Sequence, residues 1–302
     1  MHTIRRLLLK VSGAFFLVGV LVVSAPPAHA NSAWSNRLAT GYLWSMDADF
    51  DSGGSFSSQL FFLDGSTRKS FANDFSIGLA LNYTALDYDF SDFGVNPWDR
   101  ADFLTISVPI TIKVGESGRL SVAGSFGSAT EKSADWDAGW TSSLVLSYMY
   151  SFSRTLSIGT GAGFVHGLED SSFFPLIVVR WQITDQWLLA NPFRPGPFGP
   201  AGLELSYRFN DRLDFGLGGV YRTIRFALDD YSPAAPSGFA EFKGVPVFLR
   251  VGWAATSSIA VDGYLGLTLD GRLKIDDSNG DELRKESYEA QPIVGVNLSG
   301  RF

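Results

Sequence analysis

The chain has 302 residues, a formal charge of −7, no cysteine, 32 glycines and 14 % aromatic side chains. The acidic balance argues against a nucleic-acid partner, which would want a basic face, and the missing cysteines exclude disulfides and a lipid-bearing cysteine. Abundant Phe, Trp, Tyr and Gly with few helix formers is unlike a soluble α/β enzyme and suits a chain of short alternating strands.

In chain order, the segment His2 to Lys10 carries Arg5, Arg6 and Lys10, and Val11 to Val23 is apolar. Ala28-His29-Ala30 then supplies a small-x-small cleavage site. This is the pattern of a secretory signal peptide over residues 1–30, and the mature protein is expected to begin at Asn31 as a single domain, 31–302. A retained anchor fits less well, because the apolar run is short and Pro26-Pro27 breaks it near its end. Losing Arg5, Arg6 and Lys10 takes the charge from −7 to −10. No later run is long and apolar enough for a spanning helix.

The mature chain alternates with a period of two. Phe75, Ile77, Leu79, Leu81 and Tyr83 share one face, and Leu104, Ile106, Val108, Ile110 and Ile112 another. The theme repeats at Trp140–Tyr150, Leu203–Phe209, Val245–Trp253 and Ile259–Leu269, several stripes ending in an aromatic, as an interfacial girdle would. Tight connections (Val114–Gly118, Ser151–Thr155, Thr184–Gln186, Asn210–Arg212, Thr256–Ser258) alternate with longer, more acidic ones. The longer ones are Ser91–Ala101, Thr130–Ala138, Leu168–Ser172, Asn191–Gly199, Asp229–Phe242 and Lys274–Ser287. Short turns on one side and long loops on the other are the habit of an all-β, transmembrane, antiparallel up-and-down β-barrel. Parity requires Phe56–Leu63 to descend and Leu38–Asp47 to ascend before it. That predicts about 14 strands, with about 12 if that pair or Trp187–Ala190 stays out of the wall. A secreted β-sandwich would also alternate, but it has no need of aromatic strand ends or strands long enough to cross a bilayer.

The last strand places Val294, Val296, Leu298, Gly300 and Phe302 on one face. Ending on an aromatic is how bacterial outer-membrane barrels usually close. Val294, Val296, Leu298 and Phe302 are therefore the candidate assembly signal, read by the barrel-assembly machinery. With nothing after Phe302 and little before the first strand, the barrel is expected to be the whole mature protein.

Charges on the opposite parity should point into the lumen: Lys113, Arg180, Glu204, Arg208, Asp214, Arg222, Arg250, Asp262, Asp270 and Arg301. Arg208 should face Asp214 across one tight turn, and Arg250 should lie close to Asp262 across another. Such a set either braces the barrel or forms a charged constriction that filters small solutes. No catalytic residue is assigned. His166, the one histidine left after cleavage, lies near the lipid face with Ser142 and Thr141 on the neighbouring strand, but no hydrolase motif surrounds it. The acidic run Asp276-Asp277-Ser-Asn-Gly-Asp281-Glu282 lacks calcium-loop register, so no metal is expected and a solvated loop is. The Gly159, Gly161, Gly163 and Gly216, Gly218 faces precede no helix, so no cofactor is expected; they relieve lumen crowding or permit a bend.

The run Gly161-Ala-Gly-Phe-Val-His166…Phe174-Pro-Leu-Ile-Val-Val-Arg-Trp-Gln-Ile-Thr-Asp-Gln-Trp187-Leu-Leu…Gly202-Leu-Glu-Leu-Ser-Tyr207 resembles the outer-membrane β-barrel family called domain of unknown function 6268. The likeness covers roughly Tyr83 to Phe302 and implies an outer-membrane barrel with no established activity, with no functional residues to carry over. The expectation is a porin-like, monomeric barrel of a Gram-negative outer membrane, exported through the general secretory pathway and contacting outer-membrane lipids and lipopolysaccharide. Its function would be passage of small solutes. The alternatives are a non-conducting structural or surface-interaction barrel and, more distantly, a lipid hydrolase.

Overall fold

The computed structural model describes residues 34–71, 74–192, 196–199 and 201–302, and the expected signal peptide lies outside them. Ala33–Arg301 is one compact unit. Its strands are β1 (Trp34–Asp49), β2 (Ser55–Ser70), β3 (Phe75–Ser91), β4 (Arg100–Val114), β5 (Gly118–Glu131), β6 (Trp140–Ser151), β7 (Leu156–Gly167) and β8 (Asp170–Gln182). They continue as β9 (Trp187–Ala190), β10 (Gly202–Arg208), β11 (Leu213–Val220), β12 (Arg222–Ala227), β13 (Phe239–Ala254), β14 (Ile259–Asp276), β15 (Glu282–Tyr288) and β16 (Gln291–Arg301).

Two of these breaks are interruptions within a wall strand. β11 and β12 pair with β13 in one register, Leu213↔Trp253 to Gly219↔Val247 and then Arg222↔Gly244 to Ala227↔Phe239. β15 and β16 likewise follow β14 in one register, from Gly271↔Tyr288 to Ile259↔Gly300. β16 pairs with β1, so the sheet closes into an antiparallel barrel of 14 wall strands, as the turn parity predicts. Closure pairs the wall strands in a ring, which satisfies the backbone inside the wall as strands in lipid require, apart from a seam beside β9.

The apolar stripe of each strand faces outward. Leu79 is 50 % exposed, Leu144 53 %, Ile177 70 %, Leu249 56 % and Leu265 60 %. A belt of this extent cannot be left in water, and it matches the lipid-facing band of a membrane barrel. Aromatic side chains rim both ends. At the short-turn end Trp187 stacks near Tyr207 with centroids 4.8 Å apart, and at the other end Phe126 meets Trp140 at 5.7 Å.

The long-loop end is more strand and less loop than the sequence suggests. Leu168–Ser172 is not a long loop: β7 and β8 join through Leu168-Glu169, both with positive φ (54° and 66°). Hairpins of this length need positive φ at both positions, normally supplied by Asn or Gly, so a Leu-Glu pair gives no turn signal. β13 and β14 also run on past the expected loop boundaries, because Phe239, Phe242, Leu273 and Ile275 are buried inside the barrel.

β9 is the shortest strand, pairing with β8 only at Arg180–Gln182. Where it ends, the Asn191 side chain substitutes for a strand. Its carbonyl oxygen accepts from the Val179 amide at 2.7 Å, and its amide donates to Ile177 O at 3.0 Å and Gly202 O at 2.9 Å. Beyond that point no ladder joins β8 to β10 among the described residues.

Candidate functional site

The inward faces build a lumen in three layers. Nearest the long-loop end is an aromatic layer. Tyr88 on β3 lies 5.0 Å from Phe242 on β13, and Phe56 on β2 lies 5.4 Å from Phe242. These strands are not wall neighbours, so the contacts cross the lumen. Between β3 and β4, Pro97 and Trp98 turn inward and bring Trp98, 2 % exposed, to 5.5 Å from Phe226 and 6.0 Å from Tyr88. Ser232 holds that segment by donating to Pro97 O at 3.3 Å.

Below this layer is a cavity of about 50 Å³, whose walls include Leu43, Leu60, Tyr88, Arg222, Phe242 and Tyr288. Phe198, from the segment between β9 and β10, also lines it, stacked on Phe248 at 4.5 Å and 9°.

The third layer, toward the short turns, is ionic. Arg250, 1 % exposed, donates to Glu204 at 2.8 Å, to Asp262 at 2.9 Å and to Asp214. Glu204 also accepts from Ser206 at 2.7 Å, and Asp262 from Asn297 at 3.2 Å. Glycine makes the reach possible. Gly216 lies opposite Arg250 in register, where a Cβ would stand 2.7 Å from the Glu204 carboxylate, and a Cβ on Gly252 would stand 2.3 Å from Arg250 Nη1. The inward glycines Gly216 and Gly218 thus do relieve crowding, the second beneath the Phe248 ring.

Of the charges expected in the lumen, Glu204, Arg250 and Asp262 are buried there, Asp214 joins them, and Arg222 faces the cavity. Arg208 and Asp214 are register partners, but the carboxylate of Asp214 binds Arg250. Lys113 is exposed and pairs with Asp74 at 3.1 Å; Arg180, Arg208 and Arg301 are exposed near the same short-turn rim. Asp270 departs from the expected parity. A β-bulge lies between Lys243/Val245 and this residue, Asp270 has φ 49°, and both Leu269 and Asp270 are exposed, so Asp270 pairs with Arg272 at 2.9 Å on the exposed side. A bulge adds one residue and reverses the alternation beyond it, which is why Leu273 and Ile275 point inward.

Asp276 also differs from its expected solvated loop: it is 1 % exposed and paired with Lys274 at 2.7 Å and Arg225 at 3.2 Å. No group of metal-ligating side chains forms among the described residues. His166 is exposed opposite Ser142 in register, with Nδ1 2.9 Å from Ser171 Oγ, and has no acid or amide partner among the described residues. Val296 and Leu298 are exposed, Val294 is half-buried, and Phe302 is exposed.

The aromatic layer is absent from the sequence-level expectation, although its signal is present. Leu86, Tyr88 and Phe90 lie on the parity opposite to Leu79 and Leu81, so the apolar residues of β3 change face toward its long-loop end, where the outward face carries Asp87 and Asp89.

Fold and lumen together define a membrane-spanning β-barrel with a layered, charge-braced interior. No protein-family model matches the chain, and no curated protein matches it. Among solved structures it is similar to an outer membrane channel from Pseudomonas putida F1, at 9 % identity and a TM-score of 0.48, covering 92 % of this chain and 99 % of that one. It is also similar to the Ralstonia pickettii toluene transporter TbuX (12 % identity, 90 % of each chain, TM-score 0.41) and the P. putida toluene transporter TodX (10 %, 92 % and 91 %, 0.41). At these identities and scores the likeness carries no argument about cargo.

Proposed function

We propose that this protein is a selective conduit for small solutes in the bacterial outer membrane. One observation carries it: the lumen holds a cavity lined in part by Phe198, from an inter-strand segment, with Trp98 of another such segment packed on its Tyr88 wall. Segments of that kind can withdraw while the ladder of the wall stays paired. A barrel serving only as a scaffold has no use for an internal cavity with a charged group in it. The mixed-charge layer below would screen what passes, as charged rings do in pores.

The exterior supports the address. An apolar band with aromatic rims on a closed β-barrel suits a Gram-negative outer membrane, reached by secretory export with loss of residues 1–30 and insertion guided by the last strand. Outer-membrane lipids and lipopolysaccharide then surround a monomer. We also infer a relationship to the domain of unknown function 6268 family, on the residue pattern from Gly161 to Tyr207 alone, since no family model matches the chain. His166 meets the Ser171 hydroxyl and no carboxylate among the described residues, and passage without catalysis is the reading we favour.

The packed aromatic layer favours the second reading, a non-conducting barrel. Planar-bilayer recordings separate the two. A conduit gives discrete current steps, more frequent or larger in Trp98→Ala; the absence of steps in both proteins would leave the structural barrel.

A further inference from the structure

Arg222 is a half-buried cation on the lumenal side with no counter-charge among the described residues. It opens β12 directly after the break at Tyr221, and it lines the cavity with Tyr88 and Tyr288 as its electrostatic neighbours. Nearby cations on the inward faces are matched: Arg225 with Asp276 at 3.2 Å, Lys243 with Glu241 at 2.7 Å and Lys274 with Asp276 at 2.7 Å. Arg250 has its carboxylates in the layer below. Arg222 has no carboxylate partner among the described residues. Holding a half-buried guanidinium without a carboxylate is costly, and proteins seldom do it without a compensating charge.

A second, independent observation lies on the same cavity. Tyr88 is 8 % exposed, and its hydroxyl has no hydrogen-bond partner among the described residues. Buried polar atoms are almost always satisfied, so an exception beside a cavity points to a missing acceptor. One cation and one unused donor therefore meet on a cavity whose apolar wall is made by Leu43, Leu60, Ile224 and Phe242, with Lys243 and Gln291 also on its lining.

We propose that Arg222 and Tyr88 form a lumenal binding site for a small monocarboxylate with an apolar, preferably aromatic, body. A carboxylate matches the planar guanidinium fork and can accept the Tyr88 hydroxyl as well. A neutral apolar solute would leave Arg222 unpaired, and a dianion such as phosphate would bring two charges to Arg222, since Lys243 on the same lining is already paired with Glu241, and would offer nothing to the apolar residues. The site deepens the conduit assignment by naming a solute class, and rests on it only for why such a solute would arrive.

The test is calorimetric titration of the purified full barrel in detergent with benzoate, its neutral isostere benzamide, and inorganic phosphate. Benzoate should bind saturably, and benzamide and phosphate at least about tenfold more weakly, the scale of a lost charge-assisted hydrogen bond. Arg222→Met should abolish the preference for benzoate over benzamide while retaining the heat-modifiable gel mobility of a folded barrel. Tyr88→Phe should weaken benzoate about tenfold with the fold equally intact. No saturable benzoate binding, equal binding of benzamide or phosphate, or an unchanged preference in Arg222→Met would each overturn the site. Benzoate binding without current steps or flux would remove the conduit and leave the site standing.

Discussion

Arg250 illustrates how far single residues can be read before the fold is known. Its inward direction and its nearness to Asp262 follow from alternation and a tight turn, and both are found. The bond to Glu204 is different in kind. It reaches from β13 over β11 to β10 and depends on Gly216 lying between, so it needs the register of three strands together. The same geometry takes Asp214 away from Arg208. Arg250→Met would leave Glu204 and Asp262 buried without their cation, and it should cost about 3–5 kcal/mol in urea unfolding from lipid vesicles. Asp214→Asn, on a partly exposed carboxylate, should stay within about 1 kcal/mol in the same assay. In the exposed turn after β14, the Asp277 carboxyl lies below the usual carboxylate range because the Asn279 and Asp281 amides donate to it. A depressed folded-state value stabilises the turn above the ordinary carboxylate range and loses that support as pH falls through the lowered value. Amide exchange at Asn279 and Asp281 should therefore accelerate only on strong acidification, and Asp277→Asn should abolish the pH dependence.

At the scale of elements, strands with one apolar and one polar face were legible, and departures from two-residue periodicity were not. Asp270 adds a residue to β14 and reverses the alternation beyond it, which composition does not announce because Asp tolerates positive φ. Leu168-Glu169 forms a tight turn from residues that carry no turn signal. The Asn191 seam was equally hidden, since one side chain substitutes for ladder bonds on two strands. Asn191→Ala should lower stability by about 1–3 kcal/mol, because it leaves backbone groups of Ile177, Val179 and Gly202 short of a partner. Hydrogen exchange should rise at the Val179 amide and remain unchanged at the turn joining β10 to β11.

For the whole molecule, turn parity together with aromatic strand ends gave the closed wall and its strand number, because both follow from bilayer geometry and not from any one side chain. The layered interior was only half legible. Its charges lie on the polar parity and could be named, whereas the aromatic layer needs contacts between strands on opposite sides of the lumen, such as Tyr88 with Phe242. Those contacts narrow the lumen, so the proposed passage would depend on displacing Trp98 and Phe198. Osmotic swelling of proteoliposomes in small solutes measures this most directly. Liposomes carrying the protein should swell faster than protein-free ones, and faster again with Trp98→Ala; swelling equal to protein-free liposomes in both cases would contradict the conduit.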